Sequence, residues 1–454
     1  MTHDRPAAAA AAPPLTLPHD LWRQIARGAP DAGTLRLLRT ARAGRNLLLL
    51  RAAHHASRTT PDSGGPDSGT GAGASTPAAL LAAVRHRAPA VFDALVTDPA
   101  AGVLLAEAVR SGRRDPVAVL AAVAAHRAGI PFRLELAVRH GAVELPGLGR
   151  AVLGRAVLDP AADIARVERD PHGTTTITAP GTPTVVLIPD PLDPLDPPDP
   201  QDWPDPAESA AEPAPGWEPA PRVLLPAHRP GPAPVIRLDA HGPLDVGTPR
   251  PLGAHELARW RDRLGAAWEV LAARHPGHAD AVRGTVRAVV PLDPRPPGPP
   301  GPPGGTRGAW LSASFSDAFG LVALAPLDDP AELAAALVHE TQHSLLYALQ
   351  DLTRLLDAPP GALGHAPWSD RPRPPSALLQ GATAFLVTAG FWRREAALGH
   401  PDARAPYQRW RRTARIACDE LARGGWLTES GHRLLDALRD VLAEWDDRPG
   451  PSGT

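Results

Sequence analysis

The sequence has no lysine, one cysteine (Cys418) and one methionine (Met1). A single thiol allows neither an internal disulfide nor a cysteine metal cluster, which predicts a protein of the reducing cytoplasm. The formal net charge is −2, so no affinity for nucleic acid or anionic membranes is indicated. No segment after the N-terminus reaches the roughly 18 uncharged apolar residues of a membrane span, and prolines close the N-terminal alanine run. We therefore expect neither a membrane span nor a signal peptide.

The apolar pattern divides the chain into regions of different period. Residues 1–14 are predicted to be disordered, and residues 15–130 carry leucine and alanine at helical spacing. Residues 131–329 contain short alternating runs typical of strands, with an acidic proline-rich insertion at about 189–221 that is predicted to be disordered. Residues 330–447 are again helical in pattern. The predicted fold class is α+β, with an antiparallel sheet in the middle and helical regions on both sides.

The most informative motif is HETQH, within "ALVHETQHSLL" at residues 336–346. His339 and His343 are four residues apart, so a helix places both imidazoles on one face with Glu340 beside them. This is the H-E-x-x-H arrangement, in which two histidines bind a divalent metal and the glutamate handles the proton of a metal-bound water. Asp329, followed by a proline, is a predicted N-cap, so the motif lies in the middle of a helix.

A third ligand would distinguish the possible chemistries of such a motif. The extended zinc-protease pattern fails, because Leu349 stands where the third histidine belongs and no methionine follows for the accompanying turn. A thermolysin-like site would take a glutamate from a later helix, for which Glu395 is the candidate. Asp351, further along the motif helix, is more typical of a surface charge than of a ligand. A zinc metallopeptidase therefore remains as an alternative.

Two segments carry a family resemblance. These are "FSDAFGLVALAPLDDPAELAAALVHETQHSLLYALQDL" and "APWSDRPRPPSALLQGATAFLVTAGFW". They resemble the HExxH-motif peptide-modification proteins of actinobacteria, described as 2-oxoglutarate-dependent peptide β-hydroxylases. The N-terminal "LWRQIARGAPDAGTLRLLRTARAGRNLLLLRAAHHA" is similar as well. The resemblance thus covers most of the chain outside the proline-rich insertions, and HETQH and "PWSDRPRP" are its most specific parts.

The resemblance implies a non-haem iron(II) enzyme that hydroxylates a side-chain carbon of a ribosomally made precursor peptide while 2-oxoglutarate becomes succinate. His339 and His343 would begin the iron site and leave positions open for the oxo acid and dioxygen. The distal carboxylate of 2-oxoglutarate suits a planar guanidinium, which Arg373 in the second block would supply, with Arg371 as the alternate. Neither nucleic acid nor a membrane is an expected partner.

One position departs from the family pattern. The resembling proteins read "LLHG" after the proline block, with a histidine that would complete the metal site, whereas this chain reads "LLQG" with Gln380. Helical spacing would turn Gln380 toward the motif helix if the two helices pack, so its amide oxygen is a candidate third ligand. His365, in the preceding loop, is the other candidate.

The role of Glu340 depends on the chemistry. It would be the general base of a hydrolase, whereas in a hydroxylase it would orient a ligand or a bound water. If the chain is instead a zinc metallopeptidase, the same histidines would bind zinc and not iron(II). The loss of the family histidine at position 380 also leaves open a catalytically inactive peptide-binding partner.

Overall fold

A computed structural model describes residues 16–59, 76–113, 115–153, 164–186, 215–228, 234–239, 252–293 and 312–447. The predicted disordered N-terminus, residues 1–14, lies outside the described residues, as does most of the predicted proline-rich insertion. The end of that insertion, residues 215–221, is described and contains a short strand. Trp217 explains this order, because its side chain is only 3% exposed and its backbone pairs with Ala151.

The described residues form twelve helices and twelve strands, which confirms the predicted α+β class. The helices are α1 (Leu21–Arg27), α2 (Ala32–Thr59), α3 (Pro77–Arg87), α4 (Pro89–Thr97), α5 (Pro99–Ser111), α6 (Asp115–Arg127), α7 (Ala254–Arg274), α8 (Pro276–Thr285), α9 (Pro330–Leu352), α10 (Pro375–Ala397), α11 (Arg404–Gly424) and α12 (Glu429–Asp447). The strands are β1 (Phe132–Ala137), β2 (Ala142–Leu145), β3 (Gly149–Val152), β4 (Ile164–Arg169), β5 (Thr175–Thr178), β6 (Val185–Val186), β7 (Trp217–Pro219), β8 (Arg222–Leu224), β9 (Val235–Leu238), β10 (Ala288–Pro291), β11 (Ser312–Ser314) and β12 (Leu321–Leu324). Helices therefore occupy both ends of the chain, as predicted.

The strands form three small sheets, of which two are antiparallel. Their orders are β1-β4-β5-β6 and β2-β3-β7. The third sheet, β11-β12-β10-β9-β8, is mixed, because β10 runs parallel to both β9 and β12. The predicted antiparallel pairing thus holds for the first two sheets and, in the third, for β11 with β12 and β8 with β9. A parallel pair needs a long crossover connection, and α7 and α8 lie between β9 and β10 in the chain.

The helix α7 lies in the region where the sequence predicted mainly strands. Trp260, Leu264 and Leu271 recur along it at helical spacing, and each is no more than 1% exposed. They share one hydrophobic core with the third sheet and with α9. The middle region therefore contributes the layer on which α9 packs.

The first helix packs with the C-terminal helices instead of with its sequence neighbours. Leu21 and Ile25 of α1 are 0% exposed and belong to one core with residues of α9 to α12. Gln342 of α9 donates a hydrogen bond through Nε2 to the backbone oxygen of Ile25 at 3.0 Å. Helices α3 to α6 form a separate core with the two antiparallel sheets. The predicted N-terminal helical layer is thus shared between two cores.

The helix α9 begins as the sequence predicted. The Asp329 side chain accepts hydrogen bonds from the backbone N–H groups of Ala331 and Glu332 at 2.7 and 3.3 Å, and Pro330 occupies the first turn. This cap satisfies backbone donors that the helix itself leaves unpaired. The helix then runs for 23 residues between the third sheet and α10, with the HETQH motif in its middle.

Within the described residues, no single helix is both long and apolar enough to cross a membrane. The pair α4 and α5 passes that test only when taken together, and its two helices meet at an angle of 74°.

Candidate metal centre

The motif face is the open side of an otherwise buried helix. Between Leu333 and Leu349, every residue of α9 is buried except His339, His343 and Tyr347. These three are spaced four residues apart, so they form one stripe along the helix. Because the other residues of this segment are buried, a molecule from solvent can reach the middle of α9 only along this stripe.

The two motif histidines point at each other. Their Nε2 atoms are 3.2 Å apart, and the ring planes are nearly perpendicular, at 86°. The usual metal–imidazole distance is about 2.0–2.1 Å. A divalent ion at that distance from both nitrogens would have an N–metal–N angle of about 100°. The separation therefore suits two ligands of a single ion.

The tautomer of His343 follows from its other nitrogen. His343 Nδ1 lies 2.7 Å from Oε1 of Gln380 on α10. An amide oxygen only accepts hydrogen bonds, so Nδ1 carries the proton and donates it. Nε2 of His343 is then the unprotonated nitrogen and directs its lone pair at His339.

The tautomer of His339 is fixed in the same way. Its Nδ1 lies 3.1 Å from Oγ1 of Thr388, also on α10. The Thr388 hydroxyl donates its hydrogen to the backbone oxygen of Ala384 at 2.8 Å, so its oxygen accepts from His339 Nδ1–H. Burial, and to a smaller degree the His343 ring, holds the pKa of His339 well below its usual 6.5, so the ring stays neutral. The two Nε2 atoms thus face each other across 3.2 Å, an arrangement that suits a shared cation.

Glu340 supplies the only carboxylate in the group. Among the described residues, the one set of three or more histidine, cysteine or acidic side chains able to share a metal is His339, Glu340 and His343, whose ligand atoms lie within 4.8 Å of one another. Glu340 is 2% exposed. Ser312 Oγ on β11 donates to its Oε1 at 2.6 Å, and its Oε2 is buried with no hydrogen-bond partner in the described part of the chain. Such an oxygen can bind the metal or hold a proton.

The structure places Gln380 behind His343. Position 380 does face the motif helix, as the spacing predicted, but its oxygen contacts Nδ1, the ring nitrogen directed away from His339. We therefore assign Gln380 to orienting His343 and not to ligating the metal. Its amide nitrogen is buried without a hydrogen-bond partner among the described residues, so it remains a donor for a bound molecule.

His365 and Glu395 are not brought into the group. His365 is an exposed loop residue whose backbone N–H donates to Glu420 Oε1 at 2.9 Å. Glu395 is 0% exposed, and its two oxygens bind His275 Nε2 and Arg274, each at 2.8 Å. Glu395 is thus committed elsewhere, and the thermolysin-like ligand set cannot be assembled from it.

Asp351 is likewise engaged away from the metal group. Its carboxylate pairs with Arg42 Nε of α2 at 3.0 Å and lies 3.8 Å from Arg45 Nε. Asp351 therefore ties α2 to the C-terminal end of α9, in keeping with the expectation that it is not a ligand.

The "PWSDRPRP" block folds against α10 beside the motif. The Trp368 ring covers Gly381 so closely that a Cβ there would collide with it. The Trp368 ring also contacts Phe385 in a tilted arrangement, with ring centres 5.0 Å apart, and the centre of the Phe385 ring lies 5.3 Å from that of His339. The two segments that carry the family resemblance therefore meet at this end of α10.

The two candidate arginines lie in the same loop. Backbone hydrogen bonds of 2.8 and 2.9 Å between Gly364 and Arg373 close that loop. Arg371 and Arg373 are exposed, and neither forms an ion pair with any residue that the structure describes. Their side chains are thus free to receive an anion, although no contact joins them to His339 or His343.

Three residues of the site escaped sequence reasoning. Tyr347 could have been found, because it follows His343 by four residues on the same face. Thr388 follows Gln380 by eight residues and so lies on the same side of α10, a weaker signal. Ser312 gives no local signal, since only the pairing of β11 with β12 brings it to Glu340.

Orienting contacts of this kind affect metal affinity measurably. We expect Thr388→Val and Gln380→Leu each to weaken cobalt(II) binding by about 10- to 100-fold, since each releases one imidazole from its fixed tautomer. Thr383→Val is the matched control, because among the described residues the buried Thr383 hydroxyl bonds only to the backbone oxygens of Leu379 and Gln380. Competition titration measures the affinities. Equal affinities in all three variants would contradict the assigned roles.

No protein-family model and no curated protein matches the sequence. The family resemblance therefore remains a hypothesis, and the case for a metal centre depends on the geometry of α9 and α10.

Proposed function

We propose that this chain is a non-haem iron(II) enzyme that uses 2-oxoglutarate to hydroxylate the β-carbon of a residue in a ribosomally made precursor peptide. The observation that carries the proposal is the convergence of the Nε2 atoms of His339 and His343 at 3.2 Å. The family resemblance supports the choice of reaction. We place the reaction in the cytoplasm, where a reducing environment keeps iron in the divalent state.

The donor set favours iron over a zinc hydrolase. Two histidines and one carboxylate with open positions are typical of iron(II) oxygenases. A zinc peptidase of the HExxH type needs a third ligand and, separately, a carboxylate base. In the described part of the chain, Glu340 alone would have to serve both as the third ligand and as the base, since Glu395 is bound to His275 and Arg274. One carboxylate is sufficient for the hydroxylase.

The residues of the chain prepare the site for this chemistry. Gln380 and Thr388 fix the two imidazoles, so binding requires no change of tautomer. Ser312 holds one oxygen of Glu340 and leaves the other for a ligand or a proton. When bound, iron(II) with 2-oxoglutarate and dioxygen supplies the oxidant that inserts one oxygen atom into a C–H bond, while the oxo acid is converted to succinate and carbon dioxide. The open stripe at Tyr347 is the side from which substrates approach.

The strand β11 suits a peptide substrate. It is the terminal strand of the third sheet, and among the described residues it pairs only with β12. A free strand edge presents unpaired backbone groups that an extended peptide can match. Ser312 of this strand contacts Glu340, so a peptide paired with β11 would pass beside the metal centre.

The proposed co-substrate contact can be tested at Arg373. Arg373→Ala and Arg373→Lys are both expected to lower the affinity for 2-oxoglutarate, by about tenfold or more, because lysine keeps the charge but loses the planar fork. Binding is measured by calorimetry on the metal-loaded protein, with Arg371→Ala as the comparison. Unchanged affinity in the Arg373 variants together with a loss in Arg371→Ala would move the contact to Arg371.

Succinate formation tests the proposed reaction. Anaerobically purified protein loaded with iron(II) should release succinate from 2-oxoglutarate when dioxygen is admitted, whereas His343→Ala should not. Tightly held zinc with no turnover of 2-oxoglutarate after iron loading would end the hydroxylase proposal. Peptide cleavage by the zinc form would then favour a metallopeptidase, and the absence of any bound metal would favour a peptide-binding partner.

A further inference from the structure

A second cluster of polar and charged side chains encloses a small cavity outside the metal group. The cavity lies where α2 meets the end of α8 and the start of β10, and its volume of about 10 Å³ suits one water-sized species. Arg39 and Arg42 of α2 form one wall, and Thr285 and Arg287 form another. Asp98, at the start of α5, also lines it. The proposed function assigns no role to this cavity.

The charges around the cavity do not balance. Asp98 is already held by Arg237, at 3.0 and 3.3 Å, and by the backbone N–H of Ala100 at 2.8 Å. Arg42 is paired with Asp351. Arg39 and Arg287, in contrast, form no ion pair with any described residue. Two guanidinium groups therefore face the cavity without a carboxylate of their own.

Of these two arginines, Arg287 most clearly lacks a neutralising negative charge. One of its nitrogens, Nη1, donates to the backbone oxygens of Arg283 and Val286 at 2.8 and 3.2 Å. Burial and the charge of Arg39 lower the pKa of Arg287 to about 10, and the charge of Asp98 opposes them only in part. Arg287 is half-buried, and a guanidinium withdrawn from water is costly unless a negative charge neutralises it.

Thr285 gives an independent indication of a ligand. Its side chain is part of a residue only 1% exposed, and its Oγ1 has no hydrogen-bond partner among the described residues. A threonine at the end of a helix ordinarily donates to a backbone oxygen of the preceding turn. Leaving a buried hydroxyl without a partner costs stability, so a species in the cavity would satisfy it.

We propose that this cavity binds a small monovalent inorganic anion, chloride by size, between the guanidinium groups of Arg39 and Arg287 and the hydroxyl of Thr285. The walls supply positive charge and hydrogen-bond donors, whereas their only carboxylate is already bound by Arg237. A water molecule would satisfy Thr285 but would leave the half-buried Arg287 without a negative charge of its own, whereas the exposed Arg39 adds its positive charge from the rim of the cavity.

The position of the site suggests what the anion stabilises. Arg42, in the same wall, donates to the backbone oxygen of Ser316 at 2.8 Å and pairs with Asp351 on α9. Ser316 lies between β11 and β12, the strands next to Glu340. An anion that neutralises this cluster therefore strengthens the packing of α2 against the helix and the hairpin that carry the metal group.

Thermal unfolding of the full chain in two salts tests the inference. In sodium chloride, the midpoint of the wild type should rise by about 2 °C per tenfold increase in concentration above saturation, relative to sodium gluconate at equal ionic strength. Thr285→Val and Arg287→Gln should lose this difference between the salts. Arg36→Gln, which removes a neighbouring exposed arginine of α2 that does not line the cavity, should keep it.

A bromide derivative locates the anion directly. Crystals grown with sodium bromide should show one anomalous peak bounded by Arg39, Thr285 and Arg287, absent in Arg287→Gln. No peak, or identical unfolding midpoints in the two salts, would overturn the proposal and assign the cavity to water. A peak without any difference between the salts would indicate an adventitious ion only and would overturn it as well. Neither measurement depends on the proposed hydroxylase activity.

Discussion

Replacing either motif histidine with alanine should reduce bound metal from about one ion per chain to none at micromolar protein, with helical content nearly unchanged. The expected loss is large because, in the proposed metal centre, each histidine supplies one of only two imidazole ligands. The fold should survive, since His339 and His343 lie on the open face of α9. The buried faces of the helix are packed by residues such as Leu345 and Leu349, which are 0% exposed. Elemental analysis and circular dichroism measure the two quantities.

His365→Ala is the control for this pair. His365 is exposed and outside the metal group, so this variant should retain the metal. If His339→Ala or His343→Ala kept the metal content and activity of the wild type, the motif would have a structural role and would not bind the metal. Loss of metal in His365→Ala alone would instead place the third ligand in the loop before α10.

Glu340→Gln should lower turnover by at least about 100-fold, whether Glu340 binds the metal or moves a proton. The amide keeps the size of the side chain and can still accept from Ser312, so packing around Oε1 should persist. Glu332→Gln, an exposed substitution in the first turn of the same helix, should leave turnover unchanged.

The metal affinity of Glu340→Gln separates the two roles. A strong loss of cobalt(II) affinity would identify the carboxylate as the third ligand. Retained affinity with lost turnover would identify it as the group that handles a proton. Retention of both affinity and full turnover would remove Glu340 from the mechanism.

Local signals accounted for the part of the site that lies on one helix. The N-cap at Asp329 and the common face of His339 and His343 both depend on residues within a few turns, so the sequence predicted them. The helix α7 was missed although Trp260, Leu264 and Leu271 have helical spacing, because the β-type runs on both sides dominated the interpretation of the middle region.

Contacts between distant segments were harder to predict. Spacing along α10 showed that Gln380 faces the motif helix, but only the packing of the two helices shows that its oxygen meets Nδ1 and not a metal position. Ser312 is 28 residues from Glu340 and reaches it through the third sheet. The commitment of Glu395 to His275 depends on a residue 120 positions earlier, which no local pattern indicates.

The most direct test of the central claim is X-ray absorption spectroscopy of the full chain loaded with one equivalent of iron(II). The account predicts a spectrum fitted by two imidazole ligands, provided by His339 and His343, and by oxygen donors at the remaining positions. The His339→Ala protein should lose one or both imidazole contributions. A spectrum of the wild type without imidazole scattering, or a chain that takes up no iron, would contradict the claim that these two histidines form a metal centre.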